Sequence, residues 1–413
     1  MNPPAVPPRF DTDALIDDRR TRIIVCCGSG GVGKTTAAAA IGLRAAERGR
    51  HVVVLTVDPA RRLAQAMGLS YLDNIPRPVD IGFPSGGSLH AMMLDMKRTF
   101  DEIVEAHADP DRAAQILANP FYQSLSSSFA GTQEYMAMEK LGQLHRTDEW
   151  DLIVVDTPPS RSALDFLDAP QRLGRFLDGR LIRLLTAPAK PGRAYMKMLN
   201  AGFSLVTGTL TKVLGGQVLK DMQTFVTAFD TMFGGFRERA DTTYRLLQTP
   251  GTAFIVLAAP EPDALREASY FVERLAGERM PLAGLILNRV HVPAATRLSS
   301  ARSIAAAETL ENHEMPNGAG ENGPVEDGPV EDGAAEGDAA ESAGPRYALT
   351  AGVLRLHAER MQLAVRERRV AEHFTAAHPT VPVAEVAAQP EDVHDLEGLR
   401  AIGLSLASRP ARG

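Results

Sequence analysis

Residues Gly28-Ser29-Gly30-Gly31-Val32-Gly33-Lys34-Thr35-Thr36 have the types and the spacing to hold a chain of phosphates. Gly28, Gly33, Lys34 and Thr35 fit the pattern G-x-x-x-x-G-K-[ST]. Glycines so placed let backbone N–H groups close around phosphate oxygens, and a helix N-terminus attracts the same charge. Lys34 would reach the β- and γ-phosphates, and the Thr35 hydroxyl would ligate Mg²⁺. Two carboxylates stand where apolar runs end. Asp156 follows Trp150–Val155, the pattern of a carboxylate that helps to hold Mg²⁺. Asp58 follows His51–Val57 and precedes Pro59-Ala60-Arg61. It is either a group that orients or deprotonates an attacking water, or the N-cap of a helix opening at Pro59.

Such a loop needs a strand before it and a helix after it. Thr21–Cys27 is apolar and β-branched and reads as a buried strand. Thr35–Arg48 is Ala-rich and reads as a helix. His51–Val57 is a second buried strand. A helical crossover between the two makes them parallel, which puts Asp58 at the crevice end of the sheet. Further strands are expected over Leu89–Leu94, Trp150–Asp156, Thr252–Ala258, Leu282–Leu287 and Thr380–Val386. Helices are expected over Lys97–Ala106, from Gly131 to Leu144, and over Pro262–Gly277, Ala294–Leu310, Tyr347–His373 and Leu396–Ala407. Asn288, just past the Leu282–Leu287 run, is either a capping residue or a reader of an adenine edge. Ser124, Ser126, Ser127 and Ser128 form a cluster that suits a solvated helix connection or a phosphate-facing loop. The fold class is α/β, a mostly parallel central sheet flanked by helices, with a helical insertion subdomain.

The chain has 413 residues, 44% of them hydrophobic, enough for one large α/β domain with insertions. Residues 1–20, which begin Pro-rich and without an apolar core, read as a flexible arm. Residues 21–413 read as a single domain, interrupted at about 161–248 and about 311–345. The first interruption is helical in pattern and rich in Met, Phe and Leu between Ala194 and Phe236, which suits either a helical core or a groove for varied apolar partners. The second repeats Gly-Pro-Val-Glu-Asp at Gly323–Asp332 and reads as a disordered acidic insertion. It holds ten Asp and Glu and no Lys or Arg, so without it the net charge of −7 becomes +3. Neither charge suits broad nucleic-acid binding. The two cysteines, Cys26 and Cys27, are adjacent in a strand and point to opposite faces, so they read as small buried hydrophobes. With no apolar stretch of about 20 residues, the chain is expected in the cytoplasm.

The loop from Gly28 to Thr36 resembles the deviant Walker A of the SIMIBI-class family that holds arsenite-pump ATPases and tail-anchored-protein-targeting ATPases. Asp58-Pro59-Ala60 is similar to the first switch motif of that branch, and Asp156-Thr157-Pro158-Pro159-Ser160 to its second. Gly131-Thr132-Gln133-Glu134 resembles the G-x-x-E ahead of the second switch, and Asn288-Arg289 the adenine-contacting strand end. The likeness is strongest to paired, anion-transporting-type ATPases of actinobacteria. It implies a P-loop ATPase that closes as a dimer on ATP and Mg²⁺. Gly28 to Thr36 would hold the nucleotide, Lys34 and Asp58 would be catalytic, Thr35, Asp58 and Asp156 would serve the metal, and Asn288 would read adenine.

Three positions depart from the family pattern. The signature lysine, which reaches across the dimer to the partner's phosphates, is replaced by Ser29. A homodimer would lack this cation in both sites, so the expected assembly is a heterodimer with a lysine-bearing paralogue, acting on a protein client or a membrane partner. The alternative is a regulatory subunit that binds nucleotide and activates its paralogue. The switch histidines are replaced by Arg61 and Ser162. No cysteine pair is present for a zinc bridging the dimer or for a metalloid site.

Overall fold

The computed structural model describes residues 8–58, 62–82, 86–120, 122–123, 126, 132–158, 238–313 and 344–407. Eight strands form one sheet: β1 (Ile23–Gly28), β2 (His51–Thr56), β3 (Arg77–Val79), β4 (Ser88–Met93), β5 (Leu152–Asp156), β6 (Thr252–Ala258), β7 (Leu282–Val290) and β8 (Val383–Ala387). Their order is β3-β4-β2-β5-β1-β6-β7-β8, and every pairing is parallel except β3 with β4. All six residues of β1 are buried, as are all of β5 and β6. Helices cover both faces of such a sheet, so its central strands read as unbroken apolar runs. This is the expected α/β fold with a mostly parallel sheet.

The chain leaves β1 toward β2 on one side, and passes from β5 toward β6 on the other. The topology therefore opens a crevice at the C-terminal ends of β1, β5 and β2, where an α/β sheet receives its ligand. The helix Lys34–Glu47 rises from that crevice and packs its alanines on the sheet; Ala37 to Ala40, Ile41 and Leu43 are buried. A Cβ at Gly42 would lie 2.5 Å from Val54 Cγ2, so the helix rests on β2 at glycine distance. Arg50 anchors the opposite end of the sheet. Its buried guanidinium donates to the carbonyls of Ile16 at 2.8 Å and Thr21 at 2.6 Å, and also to that of Asp151.

Most expected elements lie within a few residues of their sequence reading. The residues before β1 differ from it. Residues 8–18, expected as part of a flexible arm, are fastened to the domain. Phe10 is 4% exposed, its N–H donates to Val383 O at 3.1 Å, and Val383 N donates to Pro8 O at 2.9 Å. The short helix Thr12–Asp17 follows, capped by Asp11, with Thr12 Oγ1 donating to Leu406 O at 2.8 Å. Asp13 pairs with Arg44, and Asp17 with Arg48. The edge β8 and a bare Gly284 make the slot that Phe10 fills; a Cβ at Gly284 would lie 2.8 Å from the Phe10 ring. The strand β3 and the helix Pro110–Leu117 were also not expected.

Of the helical insertion, the described part is a helix over residues 238–247; its Met-rich centre lies outside the described residues, as do 314–343 of the acidic insertion. Of the serine cluster, Ser126 is described, and it is buried. Among the described residues no helix is long and apolar enough to cross a membrane.

Candidate functional site

The ends of β1, β2 and β5 set the site by register. Asp156 closes β5, with Cys26 of β1 opposite it on one side and Thr56 of β2 opposite on the other. Thr56 Oγ1 donates to Asp156 Oδ2 at 2.8 Å, and Thr35 Oγ1 donates to the same oxygen at 2.7 Å. Thr56 Oγ1 also accepts from the Asp58 N–H at 3.1 Å, which turns the chain after β2 back toward the loop. Thr157 Oγ1 donates to Cys26 O at 2.9 Å and ties the exit of β5 to β1.

The loop after β1 is shaped by its glycines. Gly28 has φ +152°, and a Cβ there would sit 2.2 Å from Leu257 O on β6, so no other residue fits. Gly31 and Gly33 hold φ of +77° and +90°. Such turns direct successive N–H groups to one side, and the first N–H groups of the following helix have no partner within the helix. Lys34 is buried, and its Nζ donates to Ser29 O at 2.8 Å and Gly28 O at 3.1 Å. Burial lowers its pKa, while Asp156 and Asp58 pull it back up. The ammonium thus rests on the loop's own carbonyls, within the electrostatic reach of both carboxylates.

Asp156 is fully buried. Burial pushes its pKa up to about 6, against the two hydroxyl hydrogen bonds and Lys34, which lower it. Its Oδ1 is buried without a hydrogen-bond partner among the described residues. A buried carboxylate oxygen left open beside a threonine hydroxyl fits a hard cation that takes oxygen ligands, so this donor set fits Mg²⁺. Gly31, Gly33, Lys34, Thr35, Thr36, Asp58 and Thr157 line a cleft of about 390 Å³, together with Arg289 and the 392–394 segment.

The structure brings together Gly28 to Thr36, Asp58 and Asp156. Asn288 stands against the loop itself. Its Nδ2 donates to Val32 O at 2.8 Å, and a Cβ at Gly33 would lie 2.3 Å from that nitrogen. Asn288 therefore buttresses the loop, while its neighbour Arg289 lines the cleft with φ +62°. Ser29 is 9% exposed and takes part through its carbonyl. Arg61, Ser160 and Ser162 lie outside the described residues, as do Gly131 and the side chains of Thr132 to Glu134. Sequence reasoning missed Thr56 and gave Thr157 no role beyond its place in the second switch motif, although a threonine at each strand end is a visible hydroxyl beside the expected carboxylates. It also missed Asp392 to His394, which nothing local marks.

A mostly parallel sheet with this loop, a hydroxyl-bound carboxylate on the adjacent strand and a cleft at the strand ends defines a P-loop nucleotide-binding protein. The profile of the anion-transporting ATPase family matches residues 21–312, and the chain belongs to that family. Membership implies that ATP and Mg²⁺ are bound. The chain is 30% identical to the ATPase GET3 of Malassezia globosa over 173 residues, 42% of this chain and 49% of that protein. It is 25% identical to the ATPase GET3 of Chaetomium globosum over 281 residues, 68% of this chain and 76% of the relative. The ATPase GET3 of Neurospora crassa gives 25% over 281 residues. The aligned part thus spans about half of the first relative and three quarters of the others. These relatives are fungal, and none of them is a paired actinobacterial ATPase.

Proposed function

We propose that this protein hydrolyses ATP and uses the cycle as a conformational switch, working as one subunit of a dimer. The convergence of Thr35 and Thr56 on a buried Asp156 that keeps one oxygen open is the observation that carries this reading. Bound there, Mg²⁺ would neutralise charge on the β- and γ-phosphates. Thr35 and Asp156 would hold the ion, with Asp58 at its edge. Lys34 would leave the carbonyls of Gly28 and Ser29 for the phosphate oxygens, exchanging neutral acceptors for charged ones. Asp58, which lines the same cleft, would orient the attacking water and take its proton. Asn288, fixed to Val32, would place the base through its remaining amide oxygen. The name ATPase carried by the fungal relatives agrees with this chemistry.

Ser29 gives the dimer its character. A serine carries no charge to a neighbouring phosphate, so two copies of this chain would close without a cross-dimer cation. The assembly we infer is a heterodimer with a paralogue that has lysine at the Ser29 position. The working site would then lie on this subunit's loop and receive the paralogue's lysine. The switch would act in the cytoplasm on a protein client or a membrane partner. The body's charge leaves nucleic acid out of this reading.

The test is ATP hydrolysis by this chain alone and mixed with such a paralogue. Mixing should raise the rate by about a thousandfold or more, the worth of a supplied cationic finger, and Lys34→Ala in this chain should abolish the gain. Full activity of this chain alone would refute the heterodimer. A second reading, favoured by Ser29 itself, is a regulatory subunit that binds nucleotide and activates its partner. In that case mixed activity survives Lys34→Ala here and dies when the paralogue's own loop lysine is removed.

A further inference from the structure

The strand that carries Asn288 leaves the sheet irregularly. Its register with β8 shifts between Leu287 and Val290, and Arg289 in that interval has φ +62°. A residue with a side chain holds this conformation only where its surroundings impose it. Two contacts do so here. Val290 O accepts from Ala388 N at 2.9 Å, which joins the strand end to the segment leading to Asp392–His394. Beyond it, His291 is gripped at two points by Glu367 from the helix Gly344–Ala377. The His291 N–H donates to Glu367 Oε2 at 2.9 Å, and His291 Nδ1 lies 2.6 Å from Glu367 Oε1.

Glu367 is 7% exposed. A carboxylate so buried is costly unless its oxygens are partnered, and both find their partner in one residue. The buried carboxylate is held in place, and it ties His291 at both the backbone and the ring. Arg289, two residues back, lines the cleft, and Asn288, three back, holds the phosphate loop at Val32. The helix thus reaches the cleft lining through His291 without lining the cleft itself.

We propose that Glu367 is a positioning residue for nucleotide: by clamping His291 it holds the strained turn that presents the Arg289 guanidinium to the nucleoside end of the ligand. A guanidinium can stack on a purine and donate to a ribose, whereas the glycine loop serves the phosphates. This rests on the cleft being a nucleotide site, as proposed above.

Binding of ADP and of inorganic pyrophosphate to the full chain, measured by calorimetry, tests it. Glu367→Ala should weaken ADP by about tenfold, the size of one charged contact, and leave pyrophosphate unchanged. Glu367→Gln, which keeps an acceptor for the His291 N–H, should recover part of the loss. In an Arg289→Ala background the Glu367→Ala effect should vanish, because the pair acts as one unit. Equal weakening of ADP and pyrophosphate would show a general loss of structure and overturn the proposal. So would an unchanged ADP affinity, or a loss that persists without Arg289. Wild-type protein that binds pyrophosphate but not ADP would instead refute the nucleotide reading of the cleft.

Discussion

Replacing Asp156 with asparagine should stabilise the nucleotide-free, metal-free protein at alkaline pH, although it removes a group assigned to the site. The native carboxyl titrates at about 6, against an ordinary value of 3.8. The folded state therefore binds a proton more tightly than the unfolded chain. The stability linked to this group is complete below pH 3.8 and is lost as pH rises through 6. Two pK units correspond to about 3 kcal/mol. Asparagine imitates the neutral form at every pH. It keeps an acceptor for the Thr35 and Thr56 hydroxyls, but its amide nitrogen takes a place where Oδ1 has no partner, at a cost of about 1–3 kcal/mol. At pH 8 the variant should thus equal or exceed the wild type by up to about 2 kcal/mol. Between pH 5 and pH 8 its advantage should grow by about 1.4 kcal/mol, because at pH 5 the wild-type carboxyl is still largely protonated. Urea denaturation in EDTA at the two pH values reads this directly. Addition of Mg²⁺ and ADP should then reverse the order, stabilising the wild type alone. A difference between the proteins that does not change with pH would refute the burial argument.

Gly33→Ala should weaken ADP binding by about tenfold or more, since φ +90° is unfavourable for alanine and the new Cβ meets Asn288 Nδ2; equilibrium titration with a fluorescent ADP analogue checks it. Phe10→Ala should destabilise the protein by about 3–5 kcal/mol, as for any buried aromatic, with a clear fall in the urea midpoint. No change on Phe10→Ala would mean that the segment before β1 is a loose arm after all.

The site's local half was legible because its chemistry is contiguous. Gly28 to Thr36 lie in one turn, and the strand before them and the helix after them are written in the same thirty residues. Asp58 and Asp156 were legible as carboxylates ending apolar runs. The reason that they meet was not. Thr56 and Asp156 are 100 residues apart and become neighbours through the register of β2 with β5. Asn288 shows the same limit from the other side. Its position at a strand end suggested a base reader; that its amide nitrogen also holds Val32, and that Arg289 at the irregular strand exit lines the cleft, depend on segments distant in sequence.

Phe10 was misread for a related reason. Pro-rich residues without periodicity carry no local signal for burial, and the slot that takes the ring is made by Gly284 and the β8 edge. β3 is three residues long with Pro78 at its centre, too short and too irregular for alternation to show. It exists because β4 offers an edge.

The sequence alone determined the parallel α/β class, the phosphate loop and the carboxylates, because each is set by residue type and spacing along a few turns of chain. The tertiary structure decided which strand ends adjoin, which oxygen of Asp156 stays open, and which residues of β7 and of the 392–394 segment line the cleft. Those follow from register and from burial, which arise between segments a hundred residues or more apart and are properties of the packed sheet rather than of any stretch within it.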